Sequence, residues 1–122
     1  MSRSRSLKNG DLRLRGFAAQ LQHVHKLVAR QMILSTALPL VRGIREGRVK
    51  ISDAEQLLFN LDMLLLCTRT FKDRPLAGVI SYGMELEAVS EWVKKPRALQ
   101  AACDELEEMV TRLLENPKKK VA

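Results

Sequence analysis

The apolar positions in the first third of the chain recur every three or four residues. Leu14, Phe17, Leu21, Val24, Val28 and Met32 share one face of a helix that begins near Asp11, with Arg15, His23, Lys26 and Arg30 on the opposite face. Past Ile33 the pattern changes phase. Leu34, Ala37, Leu38, Val41 and Ile44 form a stripe nearly opposite the first one, at about 100° per residue. Pro39 lies in this transition, where it removes a helical hydrogen bond and crowds the preceding turn. Ser35 and Thr36 are suited to cap a restarted helix. The spacing therefore predicts a first helix kinked or broken between Ile33 and Pro39. It ends at Gly47, a residue type that readily takes the left-handed conformation closing a helix.

"RVKI" (48–51) reads as a short extended connector, and "SDAE" (52–55) as a capping box in which Ser52 and Glu55 satisfy each other's amides. A second helix follows from about Asp53 to Lys72, and it has two apolar stripes. Leu57, Leu58, Leu61, Leu64, Leu65, Thr68 and Phe71 form the main one, and Phe59, Met63, Leu66 and Thr70 lie on the other side. A helix apolar nearly all round is buried nearly all round, so the second stripe belongs to a central helix or to a partner interface. A third helix is predicted from about Pro75 to Lys94, weakened by Gly78 and Gly83. Gly83 reads equally well as a close-packing position and as a tolerated weak spot. The last helix starts near "KKPR" and carries a seam of Leu99, Ala102, Leu106, Met109 and Leu113. Its outer face is acidic, with Asp104, Glu105, Glu107, Glu108 and Glu115, and it ends at Asn116–Pro117.

Composition supports this helical picture. The chain has 122 residues, enough for one domain, and only 4% are aromatic. A core of leucine, valine, alanine and methionine suits helices better than strands. No uninterrupted apolar run reaches the ~20 residues of a membrane span, and the basic start lacks the apolar segment of a secretory signal. Residues 1–10 read as a disordered basic arm, 11–116 as a single helical domain and 117–122 as a basic tail. The expected location is cytoplasmic, with Cys67 and Cys103 as reduced, packed thiols.

Charge is unevenly distributed. Residues 1–50 hold eleven Lys and Arg against two acidic residues, while 51–122 hold ten against twelve. Such a basic half attracts an acidic partner or faces the acidic half of its own chain. The Gly- and Arg-rich stretch "LVRGIREGRVK" fails as a phosphate loop because its glycines are wrongly spaced and no Lys-Ser/Thr follows. It fails as a calcium loop because Arg42 and Ile44 fall where oxygen ligands are needed. The apolar helix after it does not suit a recognition helix in a major groove. An antiparallel helical hairpin fits better.

His23 and His25 lack Cys or acidic companions at helical spacing, so no metal or other cofactor is expected. Asp62 reads as a carboxylate on a narrow polar edge beside Arg69. No nucleophile motif is present, and an enzyme is not expected. The sequence thus predicts an all-α fold: a compact bundle of four main helices, the first kinked or broken near Pro39, with disordered basic termini. The leading expectation for function is a non-catalytic interaction or assembly protein. It binds itself or another helical protein through Phe59, Met63, Leu66 and Thr70. The alternative is an accessory protein making sequence-independent phosphate contacts to DNA or RNA, through Arg15, His23, Lys26, Arg30, Arg42, Arg45 and Arg48. No small-molecule substrate is evident. Membrane association is not expected; its weak support is the basic "SRSRSLK" and "KKK" segments.

Overall fold

The computed structural model describes residues 13–115. The arm expected over 1–10 and the tail over 117–122 lie outside the described residues. The elements are α1 (Gly16–Leu21), α2 (Lys26–Arg45), α3 (Ile51–Leu57), α4 (Leu61–Leu65), α5 (Arg74–Met84), α6 (Leu86–Ala88) and α7 (Pro96–Glu115). A turn of π-helix extends α4 over Leu66–Thr70, and a second extends α6 over Val89–Val93. No strand occurs among the described residues, so the fold is all-α. Of the expected four long helices three are divided, the first into α1 and α2, the second into α3 and α4, and the third into α5 and α6, while the last is the continuous α7.

The break in the first helix is not at Pro39. Helix α2 continues through that residue, and the chain interrupts itself earlier, at Gln22–His25. His25 takes an extended backbone and caps α2, its Nδ1 accepting the Leu27 amide at 3.1 Å. Pro39 is tolerated because it and Ser35 are both exposed, so the carbonyl deprived of its amide donor lies on the solvent side. The expected change of phase is absent as well. Ala29, Ile33, Leu34, Ala37, Val41 and Ile44 are all buried on one broad face. Gly47 does end this segment in the left-handed region, with φ 79°, and its amide donates to the Ile44 carbonyl at 3.1 Å.

The region 53–72 is two helices because Asn60 intervenes. Its Oδ1 accepts the Met63 amide at 2.9 Å, starting α4, while its Nδ2 donates to the Glu55 and Gln56 carbonyls at 2.8 and 3.0 Å, finishing α3. One side chain thus serves both helix ends. The capping box does not form, because α3 starts at Ile51 with Lys50 at the cap, which places Ser52 inside the helix. The π turn after α4 closes with the Phe71 amide donating to the Leu66 carbonyl at 3.0 Å. That wider turn rotates the following side chains relative to an α-helical pattern.

Asp73 caps α5 through the Leu76 amide at 3.2 Å, with Pro75 in the first turn. Helix α2 packs most extensively on α7, and α5 also packs against α7. The core gathers Ile33, Leu34, Met63, Leu66, Ile80 and Leu106, all at most 1% exposed. Burial of such a side chain contributes about 1.5–3 kcal/mol. By length and composition α2 is apolar enough to cross a membrane; here its inner face lies in the core against α7.

Candidate interaction surface

The interface expected on the second helix is interior. Phe59, Met63 and Leu66 are buried at 2%, 1% and 0% exposure, and only Thr70 of that set is exposed. The break at Asn60, which ends α3 and restarts the chain as α4, turns these residues into the chain's own core. The stripe expected to be the main buried one is partly turned out instead: Leu57, Leu61 and Thr68 are exposed, Leu64 and Leu65 are half-buried, and Leu58 and Phe71 are buried.

A further exposed apolar surface lies on the outer side of α2. On α2, Leu27, Val28 and Met32 are 47%, 53% and 42% exposed. Val28 and Met32 stand one turn apart on the side away from the core, with Leu27 on the shoulder. The face arises because the single buried face of α2 is already filled by Ala29, Ile33 and Ala37. The apolar spacing predicts a core-facing position for Val28 and Met32, and the fold turns both outward. Their neighbour Lys26 is exposed, and so is His23 in the preceding turn.

The basic residues are dispersed by internal pairing. Arg30, expected on a solvent-facing basic stripe, is buried, and its Nη1 donates to Asp73 Oδ2 at 2.6 Å. Its Nε and Nη2 have no hydrogen-bond partner among the described residues. Arg42 and Arg45 meet the acidic face of α7. Arg42 Nε donates to Glu107 at 2.7 Å, and Arg45 Nη1 donates to Asp104 at 2.8 Å and also to Glu107. Hydrogen bonds from Arg42 and Arg45 hold the Glu107 carboxyl below the usual carboxylate range. Arg48 is engaged by Glu46 at 2.6 Å. Arg15 is exposed and lies 3.7 Å from Asp62, the carboxylate expected beside Arg69. Of the expected basic set, only His23 and Lys26 are exposed without an ion pair among the described residues.

Burial, and then the Asp73 carboxylate, pushes the Cys67 thiol up to about 12; burial also raises Cys103. Both thiols are therefore protonated near neutral pH and poor nucleophiles. Glu55 is raised by burial first and then by Glu87 and Glu91. Among the described residues no three His, Cys, Asp or Glu side chains gather as metal ligands. An open cleft of about 690 Å³ lies at the turn into α7, lined by Ser90, Glu91, Lys94, Lys95, Pro96 and Leu99. Beside it Trp92 is 84% exposed.

No curated protein and no solved structure matches the chain. Residues 25–122, from the cap of α2 onward, match DUF3969, described as a protein of unknown function, and the chain belongs to that family.

Proposed function

We propose that the protein is a non-catalytic helical interaction module of the cytoplasm that associates with a second copy of itself through the outer face of α2. The observation that carries this reading is the exposure of Leu27, Val28 and Met32 on a helix whose other face is fully used in the core. Contiguous apolar surface is what soluble proteins reserve for partners. A two-fold arrangement places the same patch on both sides, so α2 packs on α2 of the second copy. Light scattering across a concentration series tests it. The wild type is expected to self-associate, and Val28→Glu with Met32→Glu to be monomeric with unchanged helicity. A wild type monomeric at every concentration overturns the proposal.

A second reading, sequence-independent binding of nucleic acid, rests on the exposed Lys26 and His23. It is the weaker of the two, because Arg30, Arg42, Arg45 and Arg48 are paired within the chain. It predicts retention on DNA or RNA that falls steeply with salt.

A further inference from the structure

We infer that the corner between α6 and α7 is a docking wedge for an anionic phospholipid surface, with Trp92 and Val93 as the apolar tip and Lys94, Lys95 and Arg97 as the cationic collar. This site is independent of the outer face of α2.

The tip is held out by its backbone. The π turn Val89–Val93 ends at Lys94, which takes the left-handed conformation with φ 57°, and α7 begins two residues later at Pro96. The Lys95 carbonyl accepts the Ala98 amide at 2.9 Å, which fixes the first turn of α7 against the corner. Trp92 and Val93 therefore project between two helical turns, 84% and 45% exposed. Indole is the side chain most at home at the boundary between headgroups and acyl chains, where one end is apolar and the other meets water.

Charge selects the kind of surface. Lys94, Lys95 and Arg97 are exposed and make no ion pair among the described residues, unlike the arginines of α2. The carboxylate of Glu91 is the only acid within residues 91–97. The adjacent cleft of about 690 Å³ brings Lys94 and Lys95 together with Ser90 and Glu91, beside the tip. Lysines placed there meet headgroup phosphates while the indole enters the interface.

The surroundings favour lipid over single-stranded nucleic acid. Strand binding uses successive aromatic platforms. Here Phe59 and Phe71 are buried, and Phe17 and Tyr82 are half-buried, the Tyr82 hydroxyl donating to Glu105 at 3.0 Å. Val93 adds nothing to base stacking, but beside Trp92 it completes a continuous apolar tip.

Trp92 is the only tryptophan in the chain, so its fluorescence reports on the wedge directly. The experiment adds the full-length protein to vesicles of phosphatidylcholine alone or mixed with phosphatidylglycerol. With the anionic vesicles the emission is expected to shift to shorter wavelength and to be quenched by brominated acyl chains. High salt is expected to reverse both effects. Replacing each cation of the collar by Gln should weaken partitioning about fivefold, as expected for one basic side chain near an anionic surface. Trp92→Ala, which leaves the core untouched, should lose co-sedimentation with the vesicles. Unchanged emission with anionic vesicles overturns the inference. So does partitioning that survives Lys94→Gln, Lys95→Gln and Arg97→Gln together, or quenching by oligothymidine without any response to vesicles.

Discussion

Arg30 reaches Asp73 from α2 inside a core where the two side chains are 3% and 5% exposed. Asp73 divides its carboxylate, giving Oδ2 to the guanidinium and Oδ1 to the Leu76 amide that opens α5. The guanidinium keeps two nitrogens without acceptors among the described residues, so its desolvation is only partly offset. Such a pair adds little over an apolar replacement, yet removing one partner is costly. Arg30→Ala should therefore destabilise the fold by about 3–5 kcal/mol, because it strands a buried carboxylate. Arg30→Met combined with Asp73→Asn should recover most of that loss, since asparagine still caps α5 and methionine fills the guanidinium's volume. Urea unfolding of Arg30→Met, Asp73→Asn and the double forms a mutant cycle. Losses that simply add would show that the two side chains are not coupled.

Between elements, the tightest constraint is Gly83 of α5 against the ring of Phe59 from the α3–α4 turn. A Cβ at Gly83 would fall on the ring atoms Cγ, Cδ1 and Cε1, whereas a Cβ at Gly78 of the same helix meets nothing within 4 Å. Alanine gains about 0.5–1 kcal/mol over glycine in a helix interior. Overpacking costs about 1–3 kcal/mol. Gly78→Ala should thus raise the melting temperature and Gly83→Ala should lower it. Thermal denaturation of the two variants checks the pair, and a shared sign would remove Phe59 as the cause. The all-α class, the glycine stop at Gly47 and the extent of the last helix were legible in the sequence, because each rests on local spacing or on one residue type. The packing role of Gly83 was legible only as one of two options. The divisions at Gln22–His25 and at Asn60 were not, since His25 and Asn60 start new helices through side-chain hydrogen bonds that leave the apolar spacing nearly undisturbed. Asparagine is a favoured cap, so Asn60 inside "LLFNLDM" was a signal that could have been read. Missing it turned Phe59, Met63 and Leu66 into an apparent surface. The exposure of Val28 and Met32 was hidden for a similar reason: spacing marks a shared face but not which face the neighbouring helices cover.

Over the whole molecule, the basic N-terminal half and the acidic C-terminal half meet inside the chain. Arg42 and Arg45 of α2 clasp Glu107 and Asp104 of α7 along the longest helix pair in the fold. This arrangement gives stability a defined pH dependence. Glu107 releases its proton more readily in the folded chain, because its two arginine partners favour the carboxylate. Its contribution is complete above the unfolded glutamate pKa, about 4.3, and is lost as pH falls through the lower folded value. Glu55 has the opposite sign. Burial and then the nearby Glu87 and Glu91 raise its pKa, so its contribution is present at acid pH and lost as pH rises through the folded value. Glu107→Gln should therefore lower stability at neutral pH and flatten the acid limb. Glu55→Gln should raise stability at neutral pH, with the gain disappearing in acid. Thermal unfolding of wild type and both variants from neutral to acid pH separates the two. Because the clasp lies at the surface, the Glu107 effect should also shrink in high salt. An acid limb unchanged by Glu107→Gln would mean that α2 and α7 are held by their apolar seam alone, leaving Arg42 and Arg45 free to meet an outside anion.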